Sequence, residues 1–119
     1  MLTLPPTVRV FVASAPVDLR KGFDGLSALV QSSFGHDPTS GFLFVFYNRR
    51  GEQVRILFFD RNGYCVIAKR LARGRFHFPS GLQGPCAQME AAELSLILEG
   101  IDLSEARRHL RWRRERKVA

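Results

Sequence analysis

A chain of 119 residues with 45% apolar and 24% charged residues has the composition of a single soluble globular domain. Its net charge of +7 lies mainly at one end, because residues 105–119 hold seven Lys or Arg against two Glu. No apolar run approaches the roughly 20 residues of a bilayer-spanning helix, and the N-terminus lacks the pattern of a signal peptide. These features exclude a membrane protein and predict a cytoplasmic one.

The residues that usually carry catalysis or bind metals are few and scattered. Cys65 and Cys86 are the only cysteines, and their separation fits two reduced thiols better than a metal or redox motif. The three histidines have no ligand spacing, and no Gly-rich phosphate loop is present. No serine or cysteine has an evident neighbouring base. We therefore expect no cofactor, no metal site and no enzymatic activity.

The first elements predicted are a strand and a helix. Thr7–Ala13 alternates in the manner of a strand, and Pro16 ends it. Asp18 stands at the position of a helix N-cap, where its carboxylate can accept from the free N–H groups of the first turn. The apolar residues that follow at helical spacing are predicted to lie on one side of this helix. They are Phe23, Leu26, Val30 and Phe34.

Residues 42–79 predict an antiparallel meander, since aromatic and β-branched runs alternate there with polar turns. Asn62-Gly63 is expected to form a type I′ turn, in which both central residues have positive φ. Asn48–Gly51 predicts a looser turn. The strand at 42–47 is apolar on both faces, so it should be central and covered on both sides. One helix covers one face, which leaves the C-terminal segment, a partner or a second copy for the other.

After a linker at Ser80–Pro85, Cys86–Leu98 predicts a short amphipathic helix, and Asp102 or Ser104 can cap a last helix through Leu110 and Trp112. The fold expected is α+β: a small four-stranded antiparallel meander sheet, one helix between strands 1 and 2, and one or two C-terminal helices. The expected organisation is an α+β core domain at 1–80, a linker and packed helix at 81–104, and a basic helix or arm at 105–119.

Two basic segments are candidates for nucleic-acid contact. The stretch 68–78 interleaves cations with aromatics, so its cations could bind phosphates while Phe76 or His77 stacks on a base. Structural ion pairs and a core role for the phenylalanines remain equally open. The tail could be a phosphate-binding arm or a solvated helix, and its mutually repelling cations favour the arm. The candidate residues are Lys69, Arg70, Arg73, Arg75, Phe76, Arg107, Arg108, Arg111, Arg113, Arg114, Arg116 and Lys117.

Charged residues also cluster at the start of the first helix. Arg20 and Asp24 are four residues apart, so a helix-surface ion pair explains them. A metal-dependent nuclease would instead need Asp18, Asp24 and Asp60, with Lys69, to converge on one cation. Asp60 is more simply a residue of the turn that follows it.

Several motifs in a fixed order carry a resemblance to a known family. Val-Asp-Leu-Arg-Lys-Gly-Phe-Asp-Gly-Leu at 17–26 is followed by Gly-Phe-Leu-Phe-Val-Phe at 41–46. Phe-Asp-Arg-Asn-Gly at 59–63, Lys-Arg-Leu at 69–71 and Arg-Gly-Arg-Phe at 73–76 come next. Over about residues 7–100 the chain resembles the TnpB-type accessory protein, encoded by the second reading frame of insertion sequences of family sixty-six. Phe58-Phe59 replaces a frequent tryptophan of the family, and Ala72 a frequent glutamate.

The resemblance implies a small protein made beside a DDE-type transposase and needed for efficient transposition. It also marks a set of motif residues, most of them charged or glycine. They are Asp18, Arg20, Lys21, Phe23, Asp24, Asp60, Gly63, Lys69, Arg70, Leu71, Gly74, Arg75 and Phe76.

The function expected is a non-catalytic accessory role in DNA transposition and recombination of a mobile element. The expected partners are transposon-end DNA, the transposase and other proteins of the element, with self-association a further option and no membrane contact. One alternative is a pure protein-interaction module that docks on the transposase or forms a homodimer without binding DNA. A metal-dependent nuclease is the third.

Overall fold

The structure, a computed structural model, describes residues 8–101 and shows an α+β fold, which confirms the predicted class. A 3₁₀ turn at Leu19–Lys21 precedes the first helix, and a π-helical segment at Val30–Phe34 prolongs it. The strands and helices are β1 Val10–Ala13, α1 Gly22–Leu29, β2 Leu43–Tyr47, β3 Gln53–Asp60, β4 Gly63–Arg70, β5 Cys86–Met89 and α2 Ala91–Leu98.

The sheet has five strands in the order β4-β3-β2-β1-β5, and it is mixed rather than antiparallel. β2, β3 and β4 form the predicted antiparallel meander. β1 runs parallel to β2 and antiparallel to β5. The prediction of an all-antiparallel four-stranded sheet is therefore wrong. A parallel neighbour needs a crossover connection, and the helical segment between β1 and β2 supplies it.

The segment predicted as a helix over Cys86–Leu98 divides into two elements. Its first four residues form β5, which pairs with β1 from Ala13↔Cys86 to Val10↔Met89. Ser14 N–H donates to the Pro85 carbonyl at 3.0 Å just before the strand begins. The helix α2 starts only at Ala91. A strand of four residues is too short for its periodicity to be told from one helical turn, which explains the error.

Both faces of the sheet are covered by elements of the chain itself. The Phe34 ring lies 5.3 Å from Phe46, so the π-helical segment packs on one face. On the other, Lys69 Nζ donates to the Leu98 carbonyl at 2.7 Å, and the Phe78 ring stacks 4.2 Å from Tyr47. All five residues of β2 are buried. The prediction of a central strand covered on both sides is confirmed, and the C-terminal segment provides the second cover.

The entry to α1 confirms one prediction and corrects two. Asp18 accepts from Arg20 N–H at 3.0 Å, as expected of an N-cap. Arg20 pairs with Asp18 rather than with Asp24, because Gly22, at φ 66°, ends the 3₁₀ turn and interrupts helical spacing between them. Phe23, predicted to share one side of the helix with Leu26, is 52% exposed, and the buried stripe begins at Leu26.

The type I′ turn predicted at Asn62-Gly63 is wrong in position and in backbone conformation, since the hairpin between β3 and β4 is shifted by one residue and only one of its two turn residues has positive φ. Asp60 pairs with Gly63, so Arg61 and Asn62 are the two turn residues, and Gly63 belongs to β4. Among the non-glycine residues described, Arg61 alone has positive φ, at 52°. The pairing continues unbroken from Asp60↔Gly63 to Gln53↔Arg70, so the two-residue turn sets the register of the whole hairpin.

Two further points concern the ends of the chain and its helices. The last helix predicted through Leu110 and Trp112 lies outside the described residues, as does the basic arm at 105–119. Neither helix within residues 8–101 has the length and apolar character needed to cross a bilayer.

Candidate nucleic-acid interface

The connection between β2 and β3, residues 48–52, is a closed basic turn and is called the β2–β3 turn below. Gly51 N–H donates to the Asn48 carbonyl at 3.0 Å, and the Asn48 side-chain Oδ1 accepts from Gln53 N–H at 3.1 Å. Gly51 has φ 73°, a left-handed conformation that glycine adopts without strain. Arg49 and Arg50 are therefore presented, both exposed, at the tip of an ordered turn.

The segment that follows β4 holds the β2–β3 turn from outside. Leu71 N–H donates to the Glu52 carbonyl at 2.9 Å, and Phe76 N–H donates to the Gly51 carbonyl at 2.7 Å. Phe76 is itself buried, 3% exposed, with its ring 6.0 Å from that of Phe78. The turn is thus connected to the hydrophobic core through two backbone hydrogen bonds.

A concave surface of about 590 Å³ lies on one side of the turn and is called the arginine cleft. Residues 16–20 form one wall and residues 48–55 the other. Val17 N–H donates to the Tyr47 carbonyl at 2.9 Å, which holds the first wall beside β2. Four cations and two acids line the cleft. They are Arg20, Arg49, Arg50 and Arg55, with Asp18 and Glu52.

A second, smaller concavity of about 300 Å³ lies between the β2–β3 turn and the segment after β4. It shares Arg49 and Arg50 with the arginine cleft and adds Arg75. Gly51 lies next to Arg75, because a Cβ at position 51 would be in ordinary van der Waals contact with the Arg75 Cβ at 3.5 Å. The tip of the turn therefore separates two concavities, and both of them are basic.

Among the residues that the structure describes, a carboxylate neutralises only one of the cleft arginines. Arg20 Nη2 lies 2.9 Å from Asp18 Oδ2, and Arg20 Nε donates to Asp18 Oδ1 at 3.0 Å. These hydrogen bonds lower the pKa of Asp18 to about 2 and raise the pKa of Arg20. Within residues 8–101, Arg49, Arg50 and Arg55 form no ion pair.

The residues predicted at 69–76 do not all lie at this surface. Lys69 is bonded to the Leu98 carbonyl on the face covered by α2, and Phe76 is buried in the core, so its ring is not exposed to a base. Arg70 pairs with Gln53 at the end of the sheet where the turn lies. Arg70, Arg73 and Arg75 are exposed. The tail cations, Arg107 to Lys117, lie outside the described residues.

Arg49, Arg50 and Arg55 were not predicted as contact residues. The asparagine and glycine of residues 48–51 predict a turn, but this local signal does not show what the two arginines between them will lie near. The sequence does contain one signal of a basic surface here, which is the pair of adjacent arginines at a turn between two largely apolar strands. Their nearness to Arg20 and Arg75 follows only from the tertiary fold.

The acids proposed for a nuclease do not converge. Asp18 and Gln53, the first residue of β3, both line the arginine cleft, whereas Asp60 is at the opposite end of β3, about 23 Å from Gln53 at ~3.3 Å per residue. Asp24 lies in the first turn of α1 and Lys21 just before it. Within the part of the chain that the structure describes, no three His, Cys, Asp or Glu side chains form a group able to hold a metal.

Fold and surface together define a small α+β protein with a basic end to its sheet. The family model described as IS66 Orf2 like protein matches residues 8–108. The chain belongs to that family, which confirms the resemblance noted in the sequence. Membership suggests a role as an accessory protein of transposition, and the family is one of accessory proteins rather than of known enzymes.

Two relatives from Sinorhizobium fredii (strain NBRC 101917 / NGR234) match most of the chain. Uncharacterized protein y4hO is 40% identical over 102 residues, which are 86% of this chain and 88% of the relative. Uncharacterized protein y4jC is 38% identical over 101 residues, 85% of this chain and 86% of the relative. No solved structure matches the chain.

Proposed function

We propose that the protein is a non-catalytic accessory factor of DNA transposition that binds DNA of the element ends through the β2–β3 turn and the arginines around it. The observation that carries the proposal is the turn itself. Arg49 and Arg50 are exposed and unpaired within residues 8–101, on a backbone held by Leu71 and Phe76. Family membership supplies the biological context.

Arginine suits this role because its planar guanidinium donates two parallel hydrogen bonds to a phosphate. Each phosphate neutralised also releases condensed counterions, which is the main source of affinity in backbone contacts. The hydrogen-bonded turn reduces the conformational entropy lost when its side chains engage DNA. Arg55 and Arg75 extend the basic surface on both sides of the tip, whereas the Arg20 guanidinium is paired with Asp18.

The tail is proposed as a second contact. Its cations, from Arg107 to Lys117, are Arg107, Arg108, Arg111, Arg113, Arg114, Arg116 and Lys117. Arg70 and Arg73 join the proposed interface, while Lys69 and Phe76 serve the packing of the sheet. Phosphate contacts position a protein without reading sequence, so the transposase is the proposed partner that brings it to the element ends. The proposed place of action is the cytoplasm.

A second candidate function, a protein-interaction module without DNA binding, is favoured by one observation. Phe23 is 52% exposed on α1, and large aromatic side chains exposed on a surface are common at contacts with other proteins. Two docking surfaces are expected from the sequence, the second face of the sheet and the helix at 86–98. The first is covered by α2, and the second is divided between β5 and α2. Phe23 is therefore the residue on which this alternative depends.

The deciding experiment measures binding of the pure full-length protein to labelled element-end and scrambled duplexes across a salt series. The proposal predicts that the logarithm of affinity falls linearly with the logarithm of salt concentration. Substituting the tail cations in the full chain then separates the contribution of the tail from that of the turn. Absent or salt-insensitive binding would overturn the proposal. A Phe23→Ala variant that loses transposase binding but keeps DNA binding would show that both functions exist.

A further inference from the structure

The two edges of the sheet differ in how they are protected. β5 is four residues long and begins directly after Pro85, and short edge strands and proline both discourage pairing with another chain. β4 is eight residues long, and all eight pair with β3 in unbroken register. Within residues 8–101 no strand pairs with its outer side. β4 contains no proline, no bulge and no charge before Lys69.

The outer edge of β4 presents a regular set of backbone groups. Leu71 N–H donates to Glu52 on the β3 side. In an antiparallel pair, successive residues direct their N–H and C=O groups alternately toward and away from the partner. The even-numbered residues of β4 therefore direct theirs outward. They are Tyr64, Val66, Ala68 and Arg70.

We propose that β4 pairs antiparallel with β4 of a second copy of this chain, so that two sheets join into one across a two-fold axis. The outward residues can pair symmetrically in two registers, with the axis at Val66 or at Ile67. The middle of the strand is apolar on both sides, from Tyr64 to Ala68. Either register therefore places apolar side chains opposite one another.

Charge favours a second copy, rather than the chain's own tail at 105–119, as the strand that pairs with the outer edge of β4. Lys69 and Arg70 are at one end of β4. In the antiparallel dimer, Lys69 and Arg70 of one copy lie opposite the Gly63 and Tyr64 end of β4 in the other copy. The cations of the two copies are therefore at opposite ends of the strand pair. The segment 105–119, with seven cations and two acids, would instead add positive charge along the strand.

Side chains beside this edge extend the apolar contact. Phe58 and Phe59 on β3 are half-buried, and Phe59 packs edge-on against Tyr64 with ring centroids 5.2 Å apart. The helix α1, which carries the exposed Phe23, contacts both β3 and β4. The edge therefore adjoins partly exposed apolar side chains of both neighbouring elements.

The first test compares the full-length protein with an Ala68→Pro variant by sedimentation equilibrium without DNA. Ala68 is exposed and its N–H points outward, so proline removes a donor for the second copy and no β3–β4 hydrogen bond. The wild type should sediment at twice 13.5 kDa. The variant should raise the dissociation constant about tenfold or more. Ala72→Pro, the same change just beyond β4, should leave it unaltered.

The second test does not depend on the proline variant folding. In a Cys65→Ser, Cys86→Ser background, Val66→Cys or Ile67→Cys places one thiol at the axis. A self-pair there lies within disulfide reach, whereas Arg70→Cys places the two thiols about 20–26 Å apart. Mild oxidation should yield a disulfide dimer from position 66 or 67 and none from position 70. A monomeric wild type, or equal cross-linking at all three positions, would overturn the proposal.

Discussion

Two turns of the same meander are built from the same residue types and differ in what surrounds them. The β2–β3 turn contains Asn48, two arginines and Gly51, and the β3–β4 turn contains Arg61 and Asn62 followed by Gly63. Hydrogen bonds from Leu71 and Phe76 hold the first turn, and basic concavities lie on both sides of it. The second joins two strands at the far end of β3.

The difference shows that charge at a turn becomes a binding surface through context rather than composition. Arg61 stands beside Asp60, and both are exposed at the tip of a hairpin. Arg49 and Arg50 stand where Arg20, Arg55 and Arg75 approach from other parts of the chain. A phosphate backbone can meet several guanidinium groups at the first turn at once, which it cannot do at the second.

The largest expected effect separates the two turns by DNA affinity. Replacing Arg49 and Arg50 with alanine should weaken binding on the order of 30-fold at 0.1 M salt and reduce the salt slope by about 1.8, because two phosphate contacts are lost. The Arg61→Ala variant is the matched control and should change affinity less than about twofold. Fluorescence anisotropy titrations across a salt series measure both quantities.

Equal losses of binding free energy per arginine removed, in the double variant and in the Arg61→Ala control, would contradict the proposed interface. They would mean that net charge alone, and not the position of the β2–β3 turn, determines binding. A double variant that keeps its affinity would instead assign DNA contact to the tail.

The second prediction compares the free energies of unfolding of two variants, Gly51→Ala in the β2–β3 turn and Gly63→Ala in β4. Gly51 has φ 73°, and an alanine there would adopt a left-handed conformation with its Cβ 3.5 Å from Arg75. Gly51→Ala should lower the free energy of unfolding by about 1–2 kcal/mol. Gly63 lies in β4, and a Cβ there would meet nothing within 4 Å, so Gly63→Ala should be near neutral. Urea denaturation followed by circular dichroism tests the pair, and equal destabilisation would refute the assignment of the turns.

The meander and the start of the first helix could be predicted from the sequence, because their signals are local. Alternating and β-branched residues predict β2, β3 and β4, and Asp18 is a cap recognised by its own position. The parallel pairing of β1 and the existence of β5 depend on partners distant in the chain, which local periodicity does not encode.

The candidate site was only partly predictable for the same reason. Arg70, Arg73 and Arg75 are predictable as contact residues because they lie close together in the sequence and near aromatic residues. Arg49 and Arg50 gain their neighbours only when residues 16–20 and 75 reach the β2–β3 turn in the folded chain. Conversely, Lys69 and Phe76 belong to a basic, aromatic segment but are directed into contacts with Leu98 and the core.

A smaller effect on stability is expected when the asparagine of each turn, Asn48 or Asn62, is replaced with alanine. Asn48 Oδ1 accepts from Gln53 N–H at 3.1 Å in a partly buried position, so Asn48→Ala leaves that donor without its partner. The expected loss is about 1 kcal/mol of unfolding free energy. Asn62 is exposed in the second turn, and Asn62→Ala should cost less. Thermal unfolding of both variants measures the difference, and a larger loss for Asn62→Ala would reverse the ranking of the two turns.

The smallest expected effect concerns Asp18, the acid that makes the arginine cleft differ from a uniformly basic surface. Its pKa is lowered from 3.8 to about 2, chiefly by the side-chain hydrogen bond from Arg20. A lowered folded-state pKa means that the contribution of the pair to stability is complete above pH 3.8 and is lost as the pH falls through about 2. The pair is exposed, so this contribution is small. An NMR titration of the Asp18 carboxyl should therefore show a midpoint near 2.

Asp18→Asn should release Arg20 and strengthen DNA binding modestly, whereas weaker binding would mean that Asp18 positions Arg20 for the phosphate rather than competing with it.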